Sequence, residues 1–367
     1  MKRRVVVTGL GIVTPLGYQL DQVWQRILAG ESGIHELQIV DTSDFKVRIG
    51  GDVVDWDPVG YLEPKDMKRI DRFTQFAIVA GTDAVRHAQL DWEQCDRRRC
   101  GVILGSGIGG LGEIERQMTR LIQSGPGRVS PMTVPRMMVN AAAANLAIEF
   151  GLLGSNYTVT TACASATNAI GEAFHAVRNG VLDVVLTGGT EAAICRMSLA
   201  AFQNIRALSR RNDEPAKASR PFDADRDGFV FAEGAGLLIF ETLEHAQERG
   251  APILAEVLGY GSSCDANHIT QPDESGHGPS LAMAGALADA ALEPTAVDYI
   301  NAHGTSTPLG DIAETRAIKQ VFGDHAYQLS ISSTKSQVGH SLGASGGVEL
   351  VVTIQSVVND LVPPTIN

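Results

Sequence analysis

Val159-Thr160-Thr161-Ala162-Cys163-Ala164-Ser165-Ala166 ends an apolar β-branched run on a cysteine and continues into small residues suited to opening a helix. Joints of this kind, strand to tight turn to helix, are the building step of α/β folds. The same step recurs along the chain. Buried-strand patterns closed by Gly, Ser or Thr fall at 5–8, 101–105, 157–161, 184–187 and 237–241, with further runs at 254–260, 298–302 and 329–333. Helical periodicity lies between them, at 19–29, 72–88, 142–150, 165–179, 281–291, 312–322 and 343–359. Sheets covered by helices are the expected result. The strand-turn-helix pattern at 158–168 has an echo at 330–345, and the strand opening into a Gly/Ser/Thr loop at 102–110 has one at 299–310. Two similar halves, residues 1–250 and 251–367, would explain both pairs; generic α/β alternation would produce them too.

Composition narrows the class. The chain has 367 residues, 44% hydrophobic and 20% charged, as in ordinary globular proteins. Its 39 glycines cluster beside small and hydroxylated residues, which points to tight turns and close backbone approaches around a site. A formal net charge of -12 argues against nucleic acid, although a local basic patch can still receive an acidic partner. Five scattered cysteines without CxxC spacing read as neither a disulfide framework nor a zinc site, so a reducing cytoplasm and no metal are expected. No window is long and apolar enough for a signal peptide or membrane span.

Three segments can carry chemistry. At a helix start, unpaired N–H groups would favour the Cys163 thiolate and lower its pKa, whereas the common fate of a free cysteine is burial as a small hydrophobe. Cys95, Cys100, Cys195 and Cys264 lack that setting and read as structural. In Ile300-Asn301-Ala302-His303-Gly304-Thr305-Ser306-Thr307, a histidine follows a strand and precedes hydroxyls able to bind an amide- or phosphate-bearing arm. In Ser333-Thr334-Lys335-Ser336-Gln337-Val338-Gly339-His340-Ser341, a lysine and a histidine five apart can converge through a turn. A cysteine and two histidines on strand ends suggest nucleophilic catalysis on an acyl group, without saying whether the acceptor is water, nitrogen or carbon.

These segments, in this order, resemble the active-site motifs of the elongating β-ketoacyl-acyl-carrier-protein synthases, above all type II. Val7-Thr8-Gly9-Leu10-Gly11, Gly105-Ser106-Gly107-Ile108-Gly109-Gly110, Arg206-Ala207-Leu208-Ser209 and Arg220-Pro221-Phe222-Asp223 extend the resemblance over nearly the whole chain. It implies an α/β, thiolase-like fold of two similar halves in a five-layered α-β-α-β-α arrangement, forming a homodimer. It further implies Cys163 as the acylated nucleophile, His303 and His340 as the pair promoting malonyl decarboxylation, and Lys335 as their support. Ile108 and Phe202 would border an acyl pocket. Thr305 and Thr307 would meet a phosphopantetheine arm, with Thr270 at its entrance. Lys65, Lys68, Arg69, Arg128 and Arg206 would dock an acidic carrier protein, acyl- or malonyl-loaded, that brings the arm with it, so no resident cofactor is expected.

Two departures stand out. Ala166 occupies a position where the family commonly has glycine. The last residues, Val362-Pro363-Pro364-Thr365-Ile366-Asn367, precede the family's closing strands and their Gly-Phe-Gly-Gly-Thr-Asn loop, so the C-terminal strands of the fold are expected to be missing from these residues. The resemblance admits three readings: fatty-acid chain elongation, a polyketide-type ketosynthase, or a non-catalytic partner subunit. The retained Cys163, His303, Lys335 and His340 weigh against the last.

Overall fold

The structure, a computed structural model, describes residues 2–367. Its strands are β1 (Val5–Val13), β2 (His35–Glu36), β3 (Ile49–Gly50), β4 (Cys100–Gly105), β5 (Asn156–Val159), β6 (Val184–Glu191), β7 (Gly234–Thr242), β8 (Ala255–Val257), β9 (Tyr299–Asn301) and β10 (Ser330–Ser332). Six of them form one mixed sheet in the order β5-β4-β6-β7-β1-β8. β9 and β10 pair in parallel as a second sheet, and among the described residues neither has a further strand beside it. Residue 254 was expected to open a strand of the second half. Instead β8 is short and joins the first sheet, antiparallel to β1.

Burial on both faces of β4, β6 and β7 explains their continuous apolar runs. One face packs under the Arg72–His87 and Ala141–Phe150 helices, where Phe73, Phe76, Ala80 and Leu146 join Val102, Leu186 and Leu237. The other face receives the Ser165–Arg178 and Ser345–Asn359 helices, through Phe174, Val177, Val348, Val351 and Val352. Asn301 at the end of β9 donates to the Glu349 carbonyl of the Ser345–Asn359 helix at 3.2 Å, which ties the second sheet to that helix layer. The paired helices His277–Ala290 and Gly310–Phe322 complete the five layers.

The expected helices are present with small shifts at their ends, but two longer ones, Leu111–Ser124 and Arg196–Asn204, and the short helices Pro64–Met67, Thr133–Met137, Leu243–Glu248 and Lys335–Val338 were not foreseen. Leu111–Ser124 buries only Glu113 and Gln117, while its apolar residues Ile114, Met118, Leu121 and Ile122 recur at helical spacing on an exposed face.

The echo seen in the sequence has a structural counterpart. After β5 comes the 3-10 turn Ala162–Ala164 and then the Ser165–Arg178 helix; Leu342–Ala344 leads into Ser345–Asn359 in the same way. Ala162 and Leu342 take φ +51 and +47, a region L residues seldom occupy. The two turns abut. A Cβ on Gly343 would stand 2.2 Å from the Gly107 nitrogen, so only glycine allows that approach. Ala166 is accommodated because it faces Gly189, where a Cβ would come within 2.5 Å of the Ala166 methyl.

Candidate active site

Each half delivers part of one site. The Ala162–Ala164 turn presents Cys163, which is half-buried. Its Sγ lies 2.9 Å from His340 Nε2, and His340 Nδ1 lies 2.9 Å from Ser345 Oγ on the first residue of the following helix. The His303 ring stands at 89° to that of His340 with centroids 5.4 Å apart. Cys163 and both histidines therefore line one space, as the sequence led one to expect.

Lys335 is buried behind them. Its ammonium donates to the His303 carbonyl at 2.8 Å, lies 3.4 Å from His303 Nδ1 and pairs with Glu349. An ammonium can only donate, so His303 Nδ1 is an acceptor and its neutral ring carries the proton on Nε2. The His303 ring reaches the open cleft, yet the dense protein around it and then the Lys335 charge hold its pKa down to about 3. Burial, followed by Lys335 and His303, pushes His340 well below the ordinary value. Both rings are neutral at physiological pH.

The thiol differs from expectation. Burial pushes Cys163 up, with Lys335 pulling the other way, so the helix start does not by itself supply a resting thiolate. A neutral Cys163–His340 hydrogen-bonded pair is the resting arrangement.

Two carboxylates, the fully buried Glu191 and the half-buried Glu314, hold the surrounding loops. Glu191 accepts N–H bonds from Gly107 at 2.6 Å, Ile108 at 3.2 Å, Gly109 at 3.1 Å and Gly343 at 3.2 Å, which clasps a loop of each half. Glu314 accepts from the backbone N–H of His303 at 2.6 Å and of Gly304 at 2.7 Å. Neither was picked out in the sequence: both act on segments distant along the chain, and a lone glutamate in a strand or helix carries no local signal.

The other expected residues divide. Ile108 and Phe202 pack with Cys163 against one apolar cluster that includes Phe229, Phe231 and Leu342. Phe229 also meets His340 edge-on at 5.3 Å. Thr305 and Thr307 lie together, hydroxyl to hydroxyl at 3.0 Å. Thr270 sits on an exposed loop and hydrogen-bonds with His268; among the described residues it makes no hydrogen bond to the site. Lys65, Lys68, Arg69, Arg128 and Arg206 are all exposed. Arg206 borders a polar cleft of about 470 Å³ with Lys46 and Arg210, two cations the sequence reading did not include. Among the described residues no His, Cys, Asp or Glu cluster has the makings of a metal site.

This arrangement can acylate a thiol beside two neutral N–H donors and stabilise an enolate between them. Residues 2–246 match the family model described as "Beta-ketoacyl synthase, N-terminal domain", and residues 254–367 match "Beta-ketoacyl synthase, C-terminal domain". The chain is 51% identical over 366 residues to the 3-oxoacyl-[acyl-carrier-protein] synthase 2 of Synechocystis sp. (strain PCC 6803), covering 100% of the chain and 88% of that protein. The synthase 2 of Vibrio cholerae is 47% identical over 367 residues, covering 100% and 89%. Among solved structures, a β-ketoacyl synthase from Burkholderia phymatum superposes with a TM-score of 0.92 at 36% identity, covering 100% and 89%. A type II PKS acyl-carrier protein in complex with its ketosynthase bound to the hexaketide gives a TM-score of 0.92 at 34% identity, covering 100% and 88%.

Proposed function

We propose that this chain, which belongs to the β-ketoacyl synthase family, catalyses the decarboxylating condensation of an acyl group with malonyl-acyl-carrier protein, giving β-ketoacyl-carrier protein and carbon dioxide in fatty-acid elongation. The observation that carries this reading is Cys163 Sγ at 2.9 Å from His340 Nε2, with the His303 ring turned toward the same space.

Cys163 gives its proton toward His340 as Sγ attacks the carrier thioester, and the departing carrier sulfur takes that proton. With the acyl group on Cys163, a malonyl thioester lies with its carbonyl oxygen between His303 and His340. Loss of carbon dioxide leaves an enolate whose charge the two Nε2–H donors hold, in a site where burial strengthens each hydrogen bond. The enolate carbon attacks the acyl-Cys163 carbonyl, and Cys163 leaves as the thiolate. A single histidine would not supply both donors.

The two halves, 1–250 and 251–367, each bring one 3-10 turn to this step, Ala162–Ala164 and Leu342–Ala344. Thr305 and Thr307, set side by side, suit the amide-bearing arm of a carrier, with Thr270 at its entrance, and the chemistry asks for no resident cofactor. The carrier docks on the exposed cations Lys65, Lys68, Arg69, Arg128 and Arg206, by local complementarity on a negative protein. Homodimerisation is supported by exposed Val134, Met138, Ile148 and Leu153 near the sheet edge formed by β5. A cytoplasmic setting suits the free cysteines, and no helix is long and apolar enough to cross a membrane. Fatty-acid chemistry is favoured over a polyketide role by the higher identity to synthase 2 relatives.

The test is intact-mass analysis with a medium-length acyl-carrier protein, before and after malonyl-carrier protein. An acyl adduct absent from Cys163→Ala and discharged as β-ketoacyl product supports the proposal. A folded chain that forms no adduct refutes it.

A further inference from the structure

A second thiol lies in a polar cleft of about 300 Å³ bordered by Gln89, Asp91, Gln94, His245, Glu248 and Arg249. Cys95 Sγ stands 3.9 Å from His245 Nε2, and His245 Nδ1 is 2.6 Å from Glu241 Oε2. Glu241 is fully buried and is itself held by Arg249 at 2.8 Å and by the Thr8 hydroxyl. The series runs nucleophile, proton partner, orienting carboxylate, the order that activates cysteine elsewhere. Among the described residues no hydrogen bond links this group to Cys163 or the two active-site histidines.

Cys100 completes it. Cys95 ends the 3-10 turn Trp92–Gln94, and Cys100 opens β4 with its thiol near the Cys95 sulfur and donating to the Asp96 carbonyl at 3.4 Å. Cys100, followed by His245, brings the Cys95 thiol down to about 5 against the opposing effect of burial and Glu241. Cys95 and then Glu241 push His245 up to about 9. A thiolate–imidazolium pair at neutral pH fits the geometry, and the sequence reading that took Cys95 and Cys100 for structural thiols does not account for it.

We propose that Cys95 is a thiol-modification site for hydroperoxides, with His245 as its proton partner, Glu241 orienting His245, and Cys100 closing a disulfide. The Cys95 sulfur attacks one peroxide oxygen and the O–O bond breaks. Sulfur is oxidised by two electrons to the sulfenic acid, and the other oxygen leaves as water or alcohol with the His245 proton. The Cys100 thiol then attacks the Cys95 sulfur, the S–O bond breaks and a second water departs, leaving Cys95–Cys100 as a disulfide.

The experiment treats the full chain with dilute hydrogen peroxide at pH 6 and maps each cysteine by mass. An ordinary thiol is nearly all protonated there, so Cys95 should oxidise about ten-fold faster than the exposed Cys264, after allowing for the lower nucleophilicity of a low-pKa thiolate. The wild-type product should be the Cys95–Cys100 disulfide. Cys100→Ser should instead give a Cys95 sulfenic acid trapped by dimedone, and His245→Gln should oxidise about ten-fold more slowly at Cys95. Cys95 oxidising no faster than Cys264 overturns the site, a comparison that needs no variant. A sulfenic acid persisting in wild type overturns the role of Cys100. A His245→Gln protein folded by circular dichroism and oxidised at the wild-type rate overturns that of His245.

Discussion

Lys335 Nζ lies 2.8 Å from the His303 carbonyl oxygen and 3.4 Å from Nδ1 of the same residue, so one ammonium holds both backbone and ring of a histidine of the candidate site. The same ammonium balances Glu349 in the interior. It therefore orients His303, fixes which ring nitrogen carries the proton and neutralises a buried carboxylate.

Lys335→Ala should separate these tasks. Removing one member of a buried pair strands the other, so stability to urea should fall by about 3–5 kcal/mol. Lys335→Met with Glu349→Leu should recover much of that stability while malonyl decarboxylation stays low. Recovery of both stability and decarboxylation in the double variant would show that Lys335 acts only as a counter-ion.

The histidines set an acid dependence. His303 titrates near 3 in the folded chain and near 6.5 unfolded, so below 6.5 the unfolded state binds the proton that the folded state refuses. The His303 contribution to stability should be level above pH 6.5 and decline as pH falls from there toward 3. Glu241, held near 2 by Arg249, His245 and Thr8 against burial, adds its own loss only below about 4.5, the ordinary range for a glutamate. His340 and Cys95, both lowered on folding, add to the slope over the same range, so the His303 part is read as the difference in urea midpoints between wild type and His303→Asn at pH 7, 6 and 5. The variant should show a shallower slope; an unchanged slope would mean His303 is not one of the groups responsible.

Much of this site was legible because its reactive residues sit at strand ends marked by glycine and hydroxyl clusters. Cys163 and His303 each follow a strand within a few residues, whereas His340 lies beyond the one-turn helix Lys335–Val338 in the same hydroxyl- and glycine-bearing segment. Glu191, Glu314 and Ser345 were not legible. Their partners are distant in sequence or become neighbours only when a helix starts, and nothing local marks a carboxylate that will accept four backbone N–H groups. The second sheet was overread: runs of five residues at 298–302 and 329–333 shrink to three paired residues each, since pairing needs a neighbour that periodicity does not supply. The helices Leu111–Ser124 and Arg196–Asn204 were missed although the first carries Ile114, Met118, Leu121 and Ile122 at helical spacing; that face is exposed, and the short second helix buries only Ser198 and Leu199.

Gly343→Ala tests how tightly the halves are joined. Its Cβ would meet the Gly107 nitrogen at 2.2 Å and Glu191 Oε2 at 2.6 Å. Neither can retreat, because Glu191 is held by four backbone N–H groups. The variant should lose about 1–3 kcal/mol of stability to overpacking and most of its acylation. Gly112→Ala, where the nearest atom is the end of the flexible Arg116 side chain at 3.4 Å, is the control and should behave as wild type. Equal behaviour of the two variants would show that the Gly107–Gly343 contact is not a constraint on the site.

Ser345 carries the last expectation. His340 must receive the Cys163 proton during acylation and donate from Nε2 during decarboxylation, which calls for both neutral tautomers. Its Nδ1 faces only the Ser345 hydroxyl, at 2.9 Å, and a hydroxyl can either donate or accept. Ser345→Ala leaves Nδ1 buried without a partner, a cost of about 1–3 kcal/mol, or roughly ten- to hundred-fold in rate where that group is used. Both half-reactions should slow while the chain stays folded, and Ser345→Thr, which restores the hydroxyl, should recover part of each. Intact-mass acylation and malonyl decarboxylation measured separately provide the check. Loss of decarboxylation alone would mean that Ser345 serves only the Nε2–H tautomer, and that another group takes the Cys163 proton.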